Sequence, residues 1–307
     1  MAIRIDRVCK QFNTKVVLDE FCLDLYQGQI TAILGTNSTG KSTLINVIIG
    51  NLQPTSGRVV VNTRNGYLDT RYRPHLAILH ANLGICFQEN VLFEDLTVLE
   101  HLQFFARIKG TPIDKLDDEV SKLLCSLELE HLKDTLPKKL SGGEKRKLCI
   151  SLAIVGQSKV IVLDEPDAGV DNWSRRKVWS TLQSIKHDKV ILISGHHLHE
   201  VDIFSDCKVF IVGGKVVCVG SSTLIKKTYG GDYYYLRVNL DTRQAELQKL
   251  QDFIVSCIAS AALHRRSDFE AIFKLPKEVT HNFPAFFTLL DQKIKQKKLK
   301  IKNKNET

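Results

Sequence analysis

The stretch GTNSTGKST, from Gly35 to Thr43, decides the fold of this 307-residue chain. It follows the short apolar run ITAILG, which has the form of a strand buried on both faces. It leads into KSTLINVIIG, whose apolar residues recur at helical spacing, and Gly50 is placed to end that helix. A glycine-bearing turn between a buried strand and a helix is the expected context of a phosphate-binding loop.

The pattern Gly35-x-x-x-x-Gly40-Lys41-Ser42 is complete, and chemistry requires each fixed position. The glycines let successive backbone N–H groups point at phosphate oxygens, and the following helix offers its positive end. Lys41 supplies charge for the β- and γ-phosphates, and the Ser42 hydroxyl would hold Mg²⁺. The alternative is a turn with a surface lysine. The predicted nucleotide site comprises Gly35, Thr36, Asn37, Ser38, Thr39, Gly40, Lys41, Ser42 and Thr43.

The centre of the loop also spells an N-glycosylation acceptor, Asn37-Ser38-Thr39. Glycosylation needs the secretory lumen. The N-terminal MAIRIDRVCKQF alternates apolar and polar residues and lacks the apolar core of a signal peptide. We therefore expect a nucleotide site rather than a sugar site.

Composition limits the class of protein. The chain is 43% hydrophobic and 25% charged, so it can form two domains, or one large domain with an appendage. Its net charge of +9 favours nucleic acid, anionic lipid or phosphate partners without choosing among them. Eight scattered cysteines without a C-x-x-C pair predict small buried hydrophobes in a reducing compartment. The longest apolar run, FIVSCIASAAL, is shorter than the ~20 residues that span a bilayer, so we expect a cytosolic chain.

The order of elements predicts an α/β layered domain over residues 1–228. Buried-strand patterns occur in ITAILG, KVIVLDEP and KVILISGHH, and a helical subdomain is predicted over residues 89–155. Thr97 and Glu100 form a candidate capping box. The segment CKVFIVGGKVVCVG resembles a hairpin. A small α+β domain is predicted over residues 229–292. The lysine-rich tail, 293–307, is either solvated or binds anionic lipid or nucleic acid.

Further motifs follow the loop in a fixed order. CFQEN presents Gln88, LSGGEKRK begins at Leu140, VIVLDEP ends an apolar strand with Asp164 and Glu165, and AGVD ends at Asp171. With this set the chain resembles the nucleotide-binding domain of ABC transporters over roughly residues 1–225. The resemblance implies a P-loop NTPase fold, with a RecA-like core and a helical subdomain.

The similarity extends to subfamily A, the lipid-exporting ABC proteins. That subfamily has stretches like NVLFEDLTVLEHLQFFARIKG, LSGGEKRKLCISLA, DEPDAGVD and GHHLHEVD. From about Asp232 the chain is also similar to the small regulatory domain that follows each nucleotide-binding domain there.

The resemblance assigns expected roles. Phe12 would place its ring against adenine, with a core phenylalanine as the alternative. Gln88 would touch Mg²⁺ or the attacking water and relay to the membrane domain. Asp164 would hold Mg²⁺ through water, Glu165 would be the general base, and His196 would contact the γ-phosphate.

The LSGG motif implies a second copy of the domain. In the family, residues like Ser141, Gly142 and Gly143 cap the ATP held by another nucleotide-binding domain. A head-to-tail dimer with two shared ATP sites is therefore expected, and Asp171 would lie at its seam.

Some positions depart from the family. Ser38 and Thr39 stand where it has glycine and a small residue, and a left-handed Ser38 would cost roughly 1–2 kcal/mol. Glu144 follows LSGG and adds negative charge near a γ-phosphate across the dimer. Asp167 and Gly195 each replace a threonine. Together these changes favour slow ATP turnover, although the catalytic set is complete.

Three functions compete. The favoured function is the energising domain of a transporter, which works with a membrane-spanning domain or subunit. The resemblance implies that the transported substrate is lipid. A soluble ABC ATPase acting on ribosomes or nucleic acid is disfavoured, because such proteins carry tandem domains or a long coiled coil. The third is a degenerate ATP-binding regulator. The histidines His196, His197 and His199 also admit a metal site, but solvated or capping histidines are favoured.

Overall fold

The computed structural model describes residues 2–63, 66–195, 198–239, 245–267 and 270–295. The chain divides into two compact units, Met1–Ile225 and Lys226–Thr307. The boundaries predicted at residues 228 and 292 stay predictions.

The first unit contains two sheets. A six-stranded sheet has the order β10-β9-β3-β8-β7-β6, in which all neighbours are parallel except β10, which is antiparallel to β9. A four-stranded antiparallel sheet has the order β2-β1-β4-β5. The strands are β1 (Ala2–Phe12), β2 (Lys15–Tyr26), β3 (Gln29–Leu34), β4 (Ser56–Thr63), β5 (Gly66–Asp69), β6 (Leu83–Cys86), β7 (Val160–Asp164), β8 (Val190–Gly195), β9 (Cys207–Val212) and β10 (Lys215–Gly220).

Helices cover these sheets, and the predicted helical region after residue 89 is confirmed. The division between the two units falls within the sequence of α8. The helices are α1 (Lys41–Ile48), α2 (Arg73–Ala81), α3 (Val98–Ile108), α4 (Ile113–Ser126), α5 (Gly142–Ile154), α6 (Asn172–Ile185), α7 (Leu198–Phe204) and α8 (Ser222–Tyr229).

The central strands are buried on both faces, as their apolar runs predicted. Every residue of β7 and β8 is buried. Along β7, Ile161 and Leu163 pack into one hydrophobic cluster, and Val160 and Val162 pack into another. Side chains alternate between the faces of a strand, so an unbroken apolar run fills two cores at once.

The helical subdomain is anchored by local geometry. The capping box at the start of α3 is confirmed, because Thr97 Oγ1 accepts from Glu100 N at 3.2 Å and Glu100 Oε2 accepts from Thr97 N at 2.7 Å. The helix α5 lies directly against β6. A Cβ at Gly84 would lie 1.8 Å from the carbonyl oxygen of Ala153, so only glycine permits this approach.

The second unit is a small α+β structure with one sheet. The sheet is antiparallel and has the order β11-β13-β12. Its core includes Leu250 and Ile254 from a helix and Phe273 from the central strand. The elements are β11 (Tyr233–Asn239), α9 (Ala245–Cys257), β12 (Ala262–Arg266), β13 (Glu270–Pro276) and α10 (Phe283–Lys295). Most of the predicted basic tail lies outside the described residues.

The cysteine prediction is partly wrong. All eight thiols are free, but only Cys86 and Cys149 are buried, whereas Cys22 and Cys125 are exposed. Cys22 lies between buried Phe21 and Leu23 on β2, so strand alternation turns it outward. Across the described part of the chain, no helix combines the length and apolarity needed to cross a bilayer.

Candidate functional site

A cavity of about 710 Å³ lies at the carboxyl end of β3, beside the start of α1. Nine of the predicted site residues line it, together with two residues of β2 that the sequence analysis missed. The lining residues are Lys15, Val17, Thr36, Asn37, Ser38, Gly40, Lys41, Ser42, Thr43, Gln88 and Glu165.

The loop has the backbone geometry that its glycines predicted. Gly40 caps α1 with φ of 99°, and Ser38 is also left-handed, with φ of 66°. A Cβ at Gly35 would lie 2.8 Å from the carbonyl oxygen of Ile211, and one at Gly40 would lie 2.9 Å from that of Val17. Glycine is therefore required at both ends of the pattern, whereas Ser38 holds a conformation that favours glycine.

Lys41 is buried and curves back over the loop. Its Nζ donates to the carbonyl oxygens of Gly35 at 2.8 Å and Thr36 at 3.0 Å. Thr39 does not line the cavity, and its Oγ1 donates to the same Thr36 carbonyl at 2.9 Å. The ammonium group is thus held beside the first turn of α1, where an anionic phosphate would meet it.

Two carboxylates close β7 at the opposite side of the site. Asp164 is buried, and its Oδ1 accepts from the Ser194 hydroxyl on β8. The same hydroxyl accepts from Glu165 N at 3.0 Å. Glu165 has φ of 47°, a strained conformation of the kind that clusters at functional sites. Its Oε2 lies 3.5 Å from Gln88 Nε2, and both side chains line the cavity.

Arg146, a residue that the sequence analysis missed, holds these segments together. It projects from α5 and is 1% exposed. Its Nη1 donates to the carbonyl oxygens of Phe87 and of Gln88, the latter at 3.1 Å. Its Nη2 donates to those of Asp164 and Glu165, the latter at 2.8 Å. One guanidinium therefore sets the spacing between the Gln88 segment and the end of β7.

Helical spacing in the sequence does not single out Arg146. Every residue of α5 from Arg146 to Ile154 is buried, and Lys147 is a second buried cation among them. The helix therefore has no distinct apolar face on which Arg146 would stand out.

The LSGG segment does not line this cavity. Ser141 caps α5 in a second capping box, accepting from Glu144 N at 3.3 Å while Glu144 Oε2 accepts from Ser141 N at 2.7 Å. The hydrogen bond from the Ser141 backbone lowers the pKa of Glu144. The unusual Glu144 thus has a structural role, which the S-x-x-E spacing indicates. Ser141 and Gly142 are exposed.

Asp171 and Phe12 also lie outside the cavity lining. Asp171 Oδ1 caps α6, accepting from Trp173 N at 2.9 Å and Ser174 N at 3.0 Å, and the bond from Ser174 lowers the pKa of Asp171. Phe12 is 45% exposed at the end of β1, so the core-phenylalanine alternative is wrong. It pairs in register with Lys15, which does line the cavity.

The histidine predictions cannot be placed. His196 and His197 lie outside the described residues, and the side chain of His199 does too.

The residues proposed for Mg²⁺ fit that ion. Ser42 and Gln88, which carry a hydroxyl and an amide oxygen, line the cavity, and the buried carboxylate of Asp164 ends the strand that precedes Glu165. Mg²⁺ keeps several waters and is bound through one or two carboxylates plus substrate phosphates. Among the residues with described positions, no group of three or more His, Cys, Asp or Glu could hold a metal. The donor set therefore suits an ion shared with a phosphate.

Known proteins with similar sequences belong to the ABC transporter family or carry its name. Residues 18–168 match the ABC transporter family. Human ATP-binding cassette sub-family A member 10 is 38% identical over 95% of this chain, and rat phospholipid-transporting ATPase ABCA3 is 36% identical over 96%. Mouse ABC-type organic anion transporter ABCA8B is 37% identical over 94%. The chain spans 19%, 17% and 18% of these relatives' lengths, respectively.

Solved structures agree on the fold. The ATP-binding subunit of an ABC transporter superimposes with a TM-score of 0.67 at 25% identity, covering 75% of this chain and 94% of that one. An ATP-binding cassette of an ABC transporter in its ADP conformation superimposes with a TM-score of 0.62 at 29% identity. The match covers 75% of this chain and 96% of that one. The predicted P-loop NTPase fold is confirmed.

The strain at Ser38 can be tested by removing its side chain. We expect Ser38→Gly to tighten nucleotide binding, because a left-handed serine costs the loop about 1–2 kcal/mol. The measurement is titration with a fluorescent ATP analogue, alongside urea unfolding. Ser38→Ala is the matched control, since it keeps a Cβ in the same backbone conformation. Equal affinities in the glycine and alanine variants would show that the serine is not strained.

The role of Arg146 can be separated from simple stability. Arg146→Met leaves the carbonyls of Gln88 and Glu165 without their donor, so we expect hydrolysis to fall at least about tenfold, with a stability loss of about 2 kcal/mol. Affinity for ATP should change much less, because the phosphate loop is untouched. Steady-state hydrolysis and equilibrium binding check this, and Arg146→Lys should be intermediate, since one ammonium cannot serve both segments. A parallel loss of binding and turnover would contradict a positioning role.

Proposed function

The chain carries the ATP-binding domain of the ABC transporter family, and from that premise we propose that it hydrolyses ATP to power transport across a membrane. The observation that supports this most is the convergence of Lys41, Gln88 and Glu165 on one cavity. A phosphate loop alone would support only the binding of ATP. Hydrolysis also needs groups that position and deprotonate a water molecule, and the amide of Gln88 and the carboxylate of Glu165 can do this.

In the proposed reaction, the backbone N–H groups of Gly40, Lys41 and Ser42 bind the phosphates of ATP, and the Lys41 ammonium adds charge to the β- and γ-phosphates. Glu165 accepts a proton from the attacking water as the water oxygen bonds to the γ-phosphorus. The bond from that phosphorus to the bridging oxygen breaks, and ADP leaves with that oxygen. The Gln88 amide orients the water. Ser42, Gln88 and Asp164 would hold Mg²⁺, which would neutralise charge on the phosphates.

The two carboxylates suit different tasks. Asp164 is buried and accepts a hydrogen bond from Ser194, which fixes it as a ligand, whereas Glu165 borders the cavity where water enters. His196 is proposed to contact the γ-phosphate, and Phe12 to place its exposed ring near adenine.

A head-to-tail dimer is proposed to complete each ATP site. Ser141 and Gly142 are exposed and lie apart from their own chain's cavity lining, so they are available to a second domain. A Cβ at Gly143 would lie 3.2 Å from the carbonyl oxygen of Gly169. The LSGG segment and the stretch leading to Asp171 are therefore neighbours. This is the arrangement expected if both belong to one dimer interface.

A membrane-spanning domain or subunit is the proposed second partner. Val91, Phe93, Phe104 and Ile108 are exposed although apolar, and the rings of Phe93 and Phe104 meet at 5.9 Å. Exposed apolar patches mark interaction sites. This one follows directly from Gln88 in the chain, so motion at the ATP site can reach it. The chain is accordingly proposed to work at the cytoplasmic face of a membrane.

Lipid is the proposed substrate, on similarity to subfamily A. One relative is named a phospholipid-transporting ATPase and another an organic anion transporter. A substrate that is both amphipathic and anionic would fit either name. The lysine-rich tail is proposed to contact anionic lipid.

The second candidate function is an ATP-binding regulator that hydrolyses ATP slowly. The left-handed backbone of Ser38 in the phosphate loop supports this candidate.

Glu165→Gln tests the assignment of the base. We expect hydrolysis to fall by about 10²–10⁴-fold, since the amide cannot accept the proton, while ATP binding persists. The ATP-bound dimer should then accumulate, and gel filtration with ATP detects it. Glu94→Gln, at an exposed carboxylate on the loop after β6, should hydrolyse ATP normally. Unchanged turnover in Glu165→Gln would remove Glu165 from this role.

A further inference from the structure

A second cavity of about 360 Å³ lies between the helical subdomain and the sheet. It is bordered by α4, the end of α5, α6 and the residue before β8. It shares no lining residue with the ATP cavity. Its size falls within the range of small-molecule sites, which begins at about 300 Å³.

Positive charge is concentrated at one end of this cavity. Lys189 lines it, and its Nζ donates to the carbonyl oxygen of Ser158 at 2.7 Å. Lys109 lies beside the lining residue Gly156, where a Cβ would be 2.5 Å from Lys109 Cβ. Lys109 Nζ donates to the carbonyl oxygen of Leu152 at 2.6 Å. Both ammonium groups are therefore held by neutral acceptors.

Two carboxylates lie near this end, and both are already engaged. Asp188 pairs with Lys159. Glu119 accepts from Thr111 Oγ1 at 2.9 Å and from Gly156 N at 2.7 Å. Burial, with the charge of Lys189 second, lowers the pKa of Lys109 to about 8. Burial also lowers the pKa of Lys189. The three lysines at this end, Lys109, Lys189 and Lys159, outnumber the two carboxylates, Glu119 and Asp188, so an added anion would be stabilised here.

The rest of the wall combines apolar side chains with polar groups that are already engaged. Lys122 pairs with Asp118, and the hydroxyls of Ser126 and Thr181 donate to carbonyl oxygens of their own helices. Leu123 of α4, Ile154 and Val155 at the end of α5, and Ile185 of α6 line it. The hydroxyl of Ser184 faces its own helix, donating to the carbonyl oxygen of Thr181 at 2.7 Å. A ligand must therefore offer one anionic group and an apolar body.

We propose that this cavity binds a single-chain amphiphile with a carboxylate head, the head beside Lys189 and the chain along Leu123 and Ile185. Such a ligand would contact α4 of the helical subdomain and α6 of the core at once. Because it touches none of the ATP-cavity residues, it would act as a brace between the two parts and not as a competitor of ATP.

Decanoate is a suitable probe, measured by isothermal titration calorimetry against the whole chain below its micellar concentration. We expect saturable binding of one molecule per chain. Decanol, with the same chain and no charge, should bind at least tenfold more weakly, and inorganic phosphate should not bind. Equal binding of decanol, tight phosphate binding, or no saturation would each overturn the proposal.

A matched pair of variants places the ligand. Ser184→Trp fills the cavity without removing a contact outside α6, and it should abolish decanoate binding. Ser180→Trp is the control, since Ser180 is an exposed residue one turn earlier that makes the same type of bond, to the carbonyl oxygen of Lys177 at 2.9 Å. Lys189→Gln should weaken decanoate at least tenfold and decanol little. Binding that survives Ser184→Trp, or is lost equally in Ser180→Trp, would contradict the assigned cavity.

Discussion

The guanidinium of Arg146 connects the two backbone segments that carry the polar groups of the site. It donates to carbonyl oxygens on either side of the gap, at Phe87 and Gln88 and at Asp164 and Glu165. A planar group with five donors suits this task, and its charge strengthens each bond in a buried setting. Because Arg146 belongs to α5, the helix that LSGG begins, the arrangement at the cavity depends on where the helical subdomain lies against the sheet.

That dependence explains other features of the first unit. Gly84 allows α5 to approach β6 closely, and the capping box of Ser141 and Glu144 fixes the first turn of the same helix. Ser194 then holds Asp164 from the neighbouring strand. The same hydroxyl accepts from the backbone N–H of Glu165, so Ser194 holds both the proposed base and the proposed cation ligand. The site is strained at Ser38 and Glu165, where the backbone is left-handed.

The sequence predicted the features that local patterns encode. Unbroken apolar runs placed β3, β7 and β8, and S/T-x-x-E spacing placed the cap at Thr97, although the same spacing at Ser141 was missed. Segments from Gly66 to Cys86 received no prediction, because β5, α2 and β6 are short and take their identity from partners distant in sequence. Lys15 and Val17 were missed for the same reason: β2 joins the cavity only through tertiary packing. Cys22 shows that composition cannot assign burial where strand alternation decides it.

We propose that each ATP site combines the phosphate loop of one chain with the LSGG segment of another. Mixing two inactive variants, Lys41→Ala and Ser141→Arg, tests it directly by the rate of phosphate release. Each homodimer lacks one half of both sites, whereas half of the mixed dimers formed at random would be heterodimers with one intact site. A twofold dimer therefore predicts recovery of about a quarter of the normal rate on mixing. If the mixture stays inactive while both variants are folded, or if Ser141→Arg alone retains full activity, the shared-site account is wrong.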